Sequence, residues 1–227
     1  MRITDIISES LEEGVNDPHI FKAVFLAGGP GSGKSYVSNK LMGHTGMRVV
    51  NSDDIYEYLM KKQDMKLDPE TIFSPKGQEI RGNAKQLTKK RKGHYLDGRI
   101  GMIIDGTGKD VDKIRKEKEA LQAMGYDTMM LFVNTSLDVA QERNQQRERS
   151  LEPSAVEKMW KRVQDNIMKF QQIFGSSNFH IIDNSGGLED PTRAKEFDHV
   201  FKEIKKFTEA PPRNRMALQW IKDQKSQ

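Results

Sequence analysis

Four residues carry the first chemical signal: Gly28, Gly33, Lys34 and Ser35 satisfy G-x-x-x-x-G-K-[ST] within the run Phe21 to Ser35, FKAVFLAGGPGSGKS. A turn this rich in glycine can aim successive backbone N–H groups inward at a helix N-terminus, forming a nest for an anion such as a triphosphate. Side chains at Gly31 or Gly33 would obstruct the phosphate or force a conformation that glycine adopts cheaply. Lys34 reaches the β and γ phosphates as a point charge, and the Ser35 hydroxyl suits a hard cation such as Mg²⁺. Gly28, Gly29, Pro30, Gly31, Ser32, Gly33, Lys34 and Ser35 are therefore the expected cradle for ATP. The competing reading is a flexible turn with a solvated lysine. The apolar run Ala23 to Ala27 ahead of the turn and the helix-like segment Tyr36 to Met42 behind it argue against that reading.

Carboxylates follow at two further strand ends. Met47 to Asn51 reads as a short second strand, with Ser52, Asp53 and Asp54 at its end. In open parallel α/β sheets ligands sit beyond the carboxyl ends of the strands, so an acid there lies on the phosphate side. Asp53 is the candidate to accept a proton from an attacking hydroxyl. Ser-Asp-Asp before IYEYLMKK is also a helix start, so one carboxylate can cap while the other faces the site. Ile100 to Asp105 reads as a third strand ending in an acid, followed by Gly106, Thr107 and Gly108. An acid at this point commonly holds Mg²⁺, as the Walker B carboxylate does. The run IIDGTG is similar to the D-x-D-G-T of aspartate-based phosphatases, but Ile103 stands at the nucleophilic position and excludes that chemistry.

Basic residues supply the remaining candidates. After a fourth strand, Thr128 to Asn134, the segment SLDVAQERNQQRERSLEP sets Arg143 and Arg147 four apart on one helical face, with Arg149 close behind. Such a lid could close over ATP and stabilise charge on the transferring phosphoryl group; the alternative is a surface helix. Between Lys61 and Arg99 the chain is polar and basic, broken by Pro69 and Pro75 before a helix expected from about Lys76 to Tyr95. Its tetrad Lys89-Lys90-Arg91-Lys92 reads first as a solvated charge run. Arg81, Lys85 and Thr88 fall at i, i+4 and i+7, a face that could meet substrate phosphates.

Composition bounds what these residues can belong to. The chain has 227 residues, enough for one domain with extensions. The expected division is a helical extension over 1–20, a central domain over 21–187 and a helical extension over 188–227. Within the central domain, a basic insert takes about 61–99 and an arginine lid about 136–153. Hydrophobic residues make up 35% and charged residues 31%, and mean hydropathy is -0.74, with no apolar run of bilayer length. The N-terminal MRITDIISESLEEG is acidic and lacks a secretory h-region, which predicts a cytoplasmic protein that makes no use of a membrane. Ile3, Ile6, Ile7 and Leu11 recur there at helical spacing. With no cysteine, disulfides, thiolate metal sites and cysteine nucleophiles are excluded. The net charge of +4, from 37 basic and 33 acidic residues, means that any preference for polyanions must come from local clusters. Met159, Trp160, Val163, Ile167 and Phe170 trace an apolar stripe expected in the core, and Phe179 to Ile182 a fifth strand in which His180 packs. The loop Asp183 to Gly187 then lies where a nucleobase could rest. Met216, Leu218, Trp220 and Ile221 could dock the tail on the domain or on a partner.

The succession of phosphate loop, Asp-Asp after strand two, basic insert, Asp-x-Thr after strand three, and Arg-Asn-x-x-Arg before a proline resembles the P-loop kinases of the polynucleotide kinase and zeta-toxin group. The resemblance covers roughly 21–185. Asn51-Ser52-Asp53-Asp54 matches the N-x-D-D of phage-type 5′-hydroxyl polynucleotide kinases, whose first aspartate is the general base. Asp105-Gly106-Thr107-Gly108 approximates their D-x-T-N, and Arg143, Asn144, Arg147 and Pro153 match their lid, in which the second arginine contacts ATP phosphates. Three positions depart: Ile55 and Tyr56 stand where those kinases carry an aromatic residue and a phosphate-holding arginine, and Gly108 replaces an asparagine. The resemblance implies an α/β fold, a P-loop NTPase three-layer sandwich with a five-stranded parallel sheet in the order 2-3-1-4-5 and helices on both faces. It also implies an ATP- and Mg²⁺-dependent kinase acting on a hydroxyl of a nucleic acid 5′ end or another nucleotide-containing acceptor. In that picture Lys34, Asp53, Asp105 and Arg147 are catalytic, Ser35 and Asp105 hold metal, Arg143 and Arg147 contact ATP, and Asp53, Arg81, Lys85 and Thr107 meet the acceptor. Zeta-toxin-like nucleotide-sugar kinases share the ATP machinery. A nucleotide-gated nucleic-acid-binding ATPase without an acceptor is the further alternative.

Overall fold

The run KAVFLA, apolar after its first residue, becomes a central strand with all six residues buried. The computed structural model describes residues 15–146, 150–186 and 191–226. In chain order they form β1 (Lys22–Ala27), α1 (Lys34–Met42), β2 (Arg48–Val50), α2 (Ser52–Lys62), α3 (Pro69–Phe73), α4 (Pro75–Asp97), β3 (Met102–Asp105) and α5 (Val111–Ala123). There follow β4 (Asp127–Asn134), α6 (Leu137–Gln145), α7 (Pro153–Gln164), α8 (Ile167–Phe174), a 3₁₀ turn (Ser176–Asn178), β5 (Phe179–Asp183), α9 (Pro191–Glu209) and α10 (Arg215–Lys225). The four residue runs read as strands two to five become β2 to β5. The amphipathic N-terminal pattern from Ile3 to Leu11 lies outside the described residues.

All pairings are parallel and the sheet order is β2-β3-β1-β4-β5, as the resemblance implies. Alternation along β1 sorts the core into two faces. Ala23, Phe25 and Ala27 join Met102, Met130, Phe132, Leu121 of α5 and Phe170 and Phe174 of α8. Val24 and Leu26 join Val37 and Leu41 of α1 and Phe197, Val200 and Ile204 of α9 on the other face. The result is helix, sheet, helix. A strand buried on both faces has no polar alternation, which is why β1 and β4 read as near-continuous apolar runs.

The basic insert is better built than its composition suggests. Asp68 and Ser74 cap α3 and α4 through side-chain oxygens, each with a proline opening the first turn. Tyr56 and Met60 of α2, Ile72 of α3 and Ile80 and Ala84 of α4 then form a third cluster, separate from the sheet. α4 therefore runs two residues past its expected end, to Asp97, and stands against α2 as a rigid rod.

At the opposite edge of the sheet, one charge is almost wholly buried. Lys22 is 1% exposed, its Nζ donating to Asp127 at 2.9 Å and to the Pro211 carbonyl at 3.4 Å. Burial pulls its pKa below the ordinary lysine value against the opposing pull of Asp127. The Arg213 N–H also donates to Asp127, so the link between α9 and α10 is fastened to the sheet. Trp220 of α10 packs edge-on to Phe21 at 5.4 Å, whereas Met216 and Leu218 remain exposed. Among the described residues no helix is long and apolar enough to cross a membrane.

Removing one partner of a buried pair strands the other charge, so Asp127→Ala is expected to cost about 3–5 kcal/mol in urea unfolding. Lys22→Met should cost less, because Asp127 keeps the Arg213 amide and some access to water. Equal losses in the two variants would argue that geometry, and not the orphaned ammonium, dominates.

Candidate active site

The loop after β1 has a shape that its neighbours enforce. Gly31 and Gly33 have φ of 71° and 79°, in the left-handed region that side chains avoid. A Cβ on Gly31 would lie 2.5 Å from the Ala140 carbonyl oxygen, and one on Gly33 would lie 2.3 Å from the Asn184 side-chain nitrogen. The two glycines are thus required by close protein neighbours as well as by backbone conformation.

Asn184, just past β5, is the main buttress. Its Nδ2 donates to the Ser32 carbonyl at 2.7 Å, while its Oδ1 accepts from Arg193 of α9. Arg143 of α6 donates to the Gly31 carbonyl at 3.3 Å and to the Asn184 carbonyl at 2.9 Å. Burial, reinforced by the nearby Arg193, lowers the Arg143 pKa from its ordinary value. Arg143 therefore sits at the loop, with two of its donors engaged in holding the loop together. Arg147 lies outside the described residues. Its motif neighbour Asn144 is buried and clamps the Leu151 backbone in both directions, donating to the carbonyl at 2.7 Å and accepting from the N–H at 3.0 Å.

Lys34 opens α1 and folds back over the loop, its Nζ donating to the Gly28 carbonyl at 2.8 Å and the Gly29 carbonyl at 3.3 Å. Ser35 is exposed beside it. Parallel pairing sets Leu26 opposite Asp105 and Val50 opposite Ile104, so the ends of β1, β2 and β3 emerge together. There Asn51 does three jobs at once. Its Oδ1 accepts from the Asp53 N–H at 2.8 Å, which makes it the cap of α2; its Nδ2 donates to Asp54 at 2.9 Å and to Asp105 at 3.0 Å. The helix cap is thus Asn51, where Ser-Asp-Asp had been the expected source, and both aspartates are left on the first turn with their carboxylates uncommitted to capping.

The electrostatics tie these groups into one site. Burial raises the Asp105 pKa from 3.8 to about 6; Lys34 and the Gly106 N–H oppose the rise, and the charges of Asp54 and Asp53 add to it. Asp54 is also raised, first by burial and then by Glu57 and Asp53, with Arg91 pulling the other way. Crowded carboxylates beside a phosphate loop fit a divalent cation. Ser35 and Asp105 offer the hard oxygen donors that Mg²⁺ takes alongside phosphate oxygens and water. Among the described residues no group of three or more His, Asp or Glu forms a self-sufficient metal cage.

The other sequence candidates divide. Thr107 is exposed just beyond Asp105. Gly108 has φ of 72° and its carbonyl accepts from buried Asn166, which accounts locally for the departure at that position. Arg81 places its guanidinium over the Tyr56 ring, 4.7 Å from the centroid, and Lys85 is exposed with no hydrogen bond or ion pair among the described residues. Neither is brought to the acids. Tyr56 is 1% exposed and belongs to the insert core. A cavity of about 300 Å³ lined by Leu59, Gln63, Asn83 and Lys90 lies farther along α2, away from the carboxylates. The carboxylates are at the strand ends.

The family model AAA_33, an AAA domain, matches residues 24–170. Among curated proteins no sequence matches this chain. Among solved structures, a chain of the Pnkp1/Rnl/Hen1 RNA repair complex is similar with a TM-score of 0.53 and 21% identity, the match covering 67% of this chain and 47% of that one. A chain of the PezAT chromosomal toxin-antitoxin system of the human pathogen Streptococcus pneumoniae has a TM-score of 0.55 at 15% identity, covering 96% and 91%. A chain of the AvrRxo1-ORF1:-ORF2 structure with ATP has a TM-score of 0.54 at 12% identity, covering 96% and 87%. These likenesses show the fold.

Because the folded pKa of Asp105 is raised, its contribution to stability is fully present below about pH 3.8 and is lost as pH climbs through about 6. Asp105→Asn, which cannot ionise, is expected to exceed the parent protein in urea stability at pH 8 by on the order of 2–3 kcal/mol. The gap should close near pH 4. A variant no more stable than the parent at pH 8 would overturn the burial account.

Proposed function

We propose, from the premise that the chain belongs to the AAA_33 family of AAA domains over residues 24–170 and has the P-loop kinase fold, that it is an ATP- and Mg²⁺-dependent phosphotransferase. It moves the γ-phosphoryl group of ATP to a hydroxyl of a nucleotide-containing acceptor. The observation that carries this reading is the placement of Lys34, folded over a left-handed glycine turn, at the same strand ends as Asp105 and Asp54, which Asn51 bridges. A structural turn has no use for a lysine and two carboxylates arranged this way.

In the proposed mechanism the amides from Gly29 to Ser35 and the Lys34 ammonium bind the β and γ phosphates, the lysine exchanging loop carbonyls for phosphate oxygens. Ser35 and Asp105 would hold Mg²⁺, which would supply neutralisation of phosphate charge. Asp53, exposed on the first turn of α2, orients the acceptor hydroxyl and takes its proton. Asn51 fixes Asp105 and Asp54 relative to one another. Thr107 touches the acceptor beside Asp105, and Arg143 holds the loop in its binding shape; Arg147, outside the described residues, is assigned to the transferring group by its motif alone. Phosphoryl transfer asks for little covalent chemistry and much positioning, which suits a site built from strand ends. A 5′-hydroxyl polynucleotide is the first acceptor reading. A nucleotide sugar is the second, favoured by the burial of Tyr56, whose position carries the phosphate-holding arginine in polynucleotide kinases.

The test offers γ-labelled ATP with 5′-hydroxyl DNA, 5′-hydroxyl RNA and nucleotide sugars, and follows label into product. Asp53→Asn should lower transfer by roughly 10²- to 10⁴-fold while leaving ATP affinity within about twofold. Lys34→Ala should weaken ATP binding itself. Label released only as inorganic phosphate in every reaction would replace the kinase with an ATP-driven switch, and equal loss of ATP affinity in Asp53→Asn would remove its role as base.

A further inference from the structure

Two guanidiniums lie against the phosphate loop. Arg143 donates to the Gly31 and Asn184 carbonyls, and Arg193 to the Asn184 side-chain oxygen and the Gly186 carbonyl. Every acceptor in this set is neutral. Arg193 is 7% exposed, and among the described residues neither arginine forms an ion pair. The acids on the adjoining elements are bonded elsewhere. Glu142 is exposed on α6 and accepts from Gln146, Asp183 accepts from Ser185, and Glu196 accepts from the Asp183 N–H.

A buried charge is ordinarily matched by an opposite one, because removal from water penalises it otherwise. Here the neighbour has the same sign, and Arg193 adds to burial in lowering the Arg143 pKa. Arg193 also occupies the first turn of α9, where the helix dipole disfavours a cation. The Phe197 ring, its centroid 5.2 Å from the Arg193 guanidinium carbon, gives that group an aromatic face but no unit charge. What the pair adjoins is the glycine turn: a Cβ on Gly33 would lie 3.6 Å from Arg143 Nη1 and 2.3 Å from Asn184 Nδ2. An anion held in that turn would give both guanidiniums their counter-charge.

We propose that Arg193 is a positioning residue for polyphosphate: tied to the loop through Asn184, it shares with Arg143 a positive charge that the ligand's phosphates balance, so that affinity rises with their number. The inference rests on the phosphotransferase reading for the identity of the ligand as ATP. It adds a residue to which no motif of the sequence assigns a role, and a basis for holding a triphosphate more tightly than a diphosphate.

The experiment is calorimetric titration of the full chain with ATP, ADP and inorganic tripolyphosphate, each with Mg²⁺, in the parent protein and in Arg193→Gln and Arg193→Lys. Both substitutions remove the fork that holds Asn184, and only lysine keeps the charge. Arg193→Gln is expected to weaken ATP by about ten- to thirtyfold and ADP by about three- to fivefold, with tripolyphosphate following ATP. Arg193→Lys should stay within about threefold of the parent for all three probes. Arg143→Gln, at the less buried member of the pair, should repeat the larger loss for ATP and serves as the charge-removing variant if Arg193→Gln does not fold. Equal losses in the glutamine and lysine variants of Arg193 would assign it to the shape of the loop alone. Equal losses of ATP and ADP, or no loss in either glutamine variant, would likewise overturn the proposal. A parent protein that binds tripolyphosphate but not ATP would end the ATP-dependent reading and leave the charge pair standing; one that binds none of the three would end both.

Discussion

A parallel sheet sends the carboxyl end of every strand to the same edge, and the polar architecture of this molecule follows from that constraint. Leu26 pairs with Asp105 and Val50 with Ile104, so the phosphate loop, the acid of β3 and the asparagine of β2 arrive side by side without any long side chain reaching across the fold. Carboxylates gathered this way repel one another, and the chain tolerates them by placing an amide between two of them and a lysine opposite. The unfavourable part of that arrangement is what gives it chemical potential: a cation or a phosphate ester with its metal is stabilised where bare carboxylates are not.

The two edges of the sheet handle charge in opposite ways. At the amino ends, Lys22 and Asp127 neutralise each other in the interior and fasten the chain leading into α10. At the carboxyl ends the charges stay partly unpaired and reach the solvent. Two-sided burial explains how the difference is maintained, since apolar layers on both faces of β1 keep one edge from communicating with the other except through the rigid strands themselves.

The sheet order and the loop were legible because their signals are local: a buried apolar run, a glycine turn, a helix start, an acid after a strand. Asp105 could be named from its place at the end of IGMIID alone. Asn51 was read as the end of β2 and the cap given to Ser-Asp-Asp, because the bonds from Asn51 to Asp54 and Asp105 exist only when β2 and β3 lie side by side. Asn184 left no trace, since the carbonyl it supports is 152 positions away. The face of α4 was read from its period alone, whereas the Arg81 guanidinium lies over the Tyr56 ring, a contact that depends on how α2 and α4 pack. The insert core was hidden for a related reason, as its apolar residues come from three helices and no single one of them has enough to announce it.

The buttress of the loop reaches beyond the span that similarity to a family recognises. The match ends at residue 170, yet the Ser32 carbonyl is held by Asn184, and Asn184 is held by Arg193 at the beginning of α9. A fragment trimmed at the family boundary would keep every residue of the nucleotide motif and lose the scaffolding that gives the motif its curvature. The folded unit behind the motif is therefore longer than its signature, and α9 belongs to it as much as the glycines do.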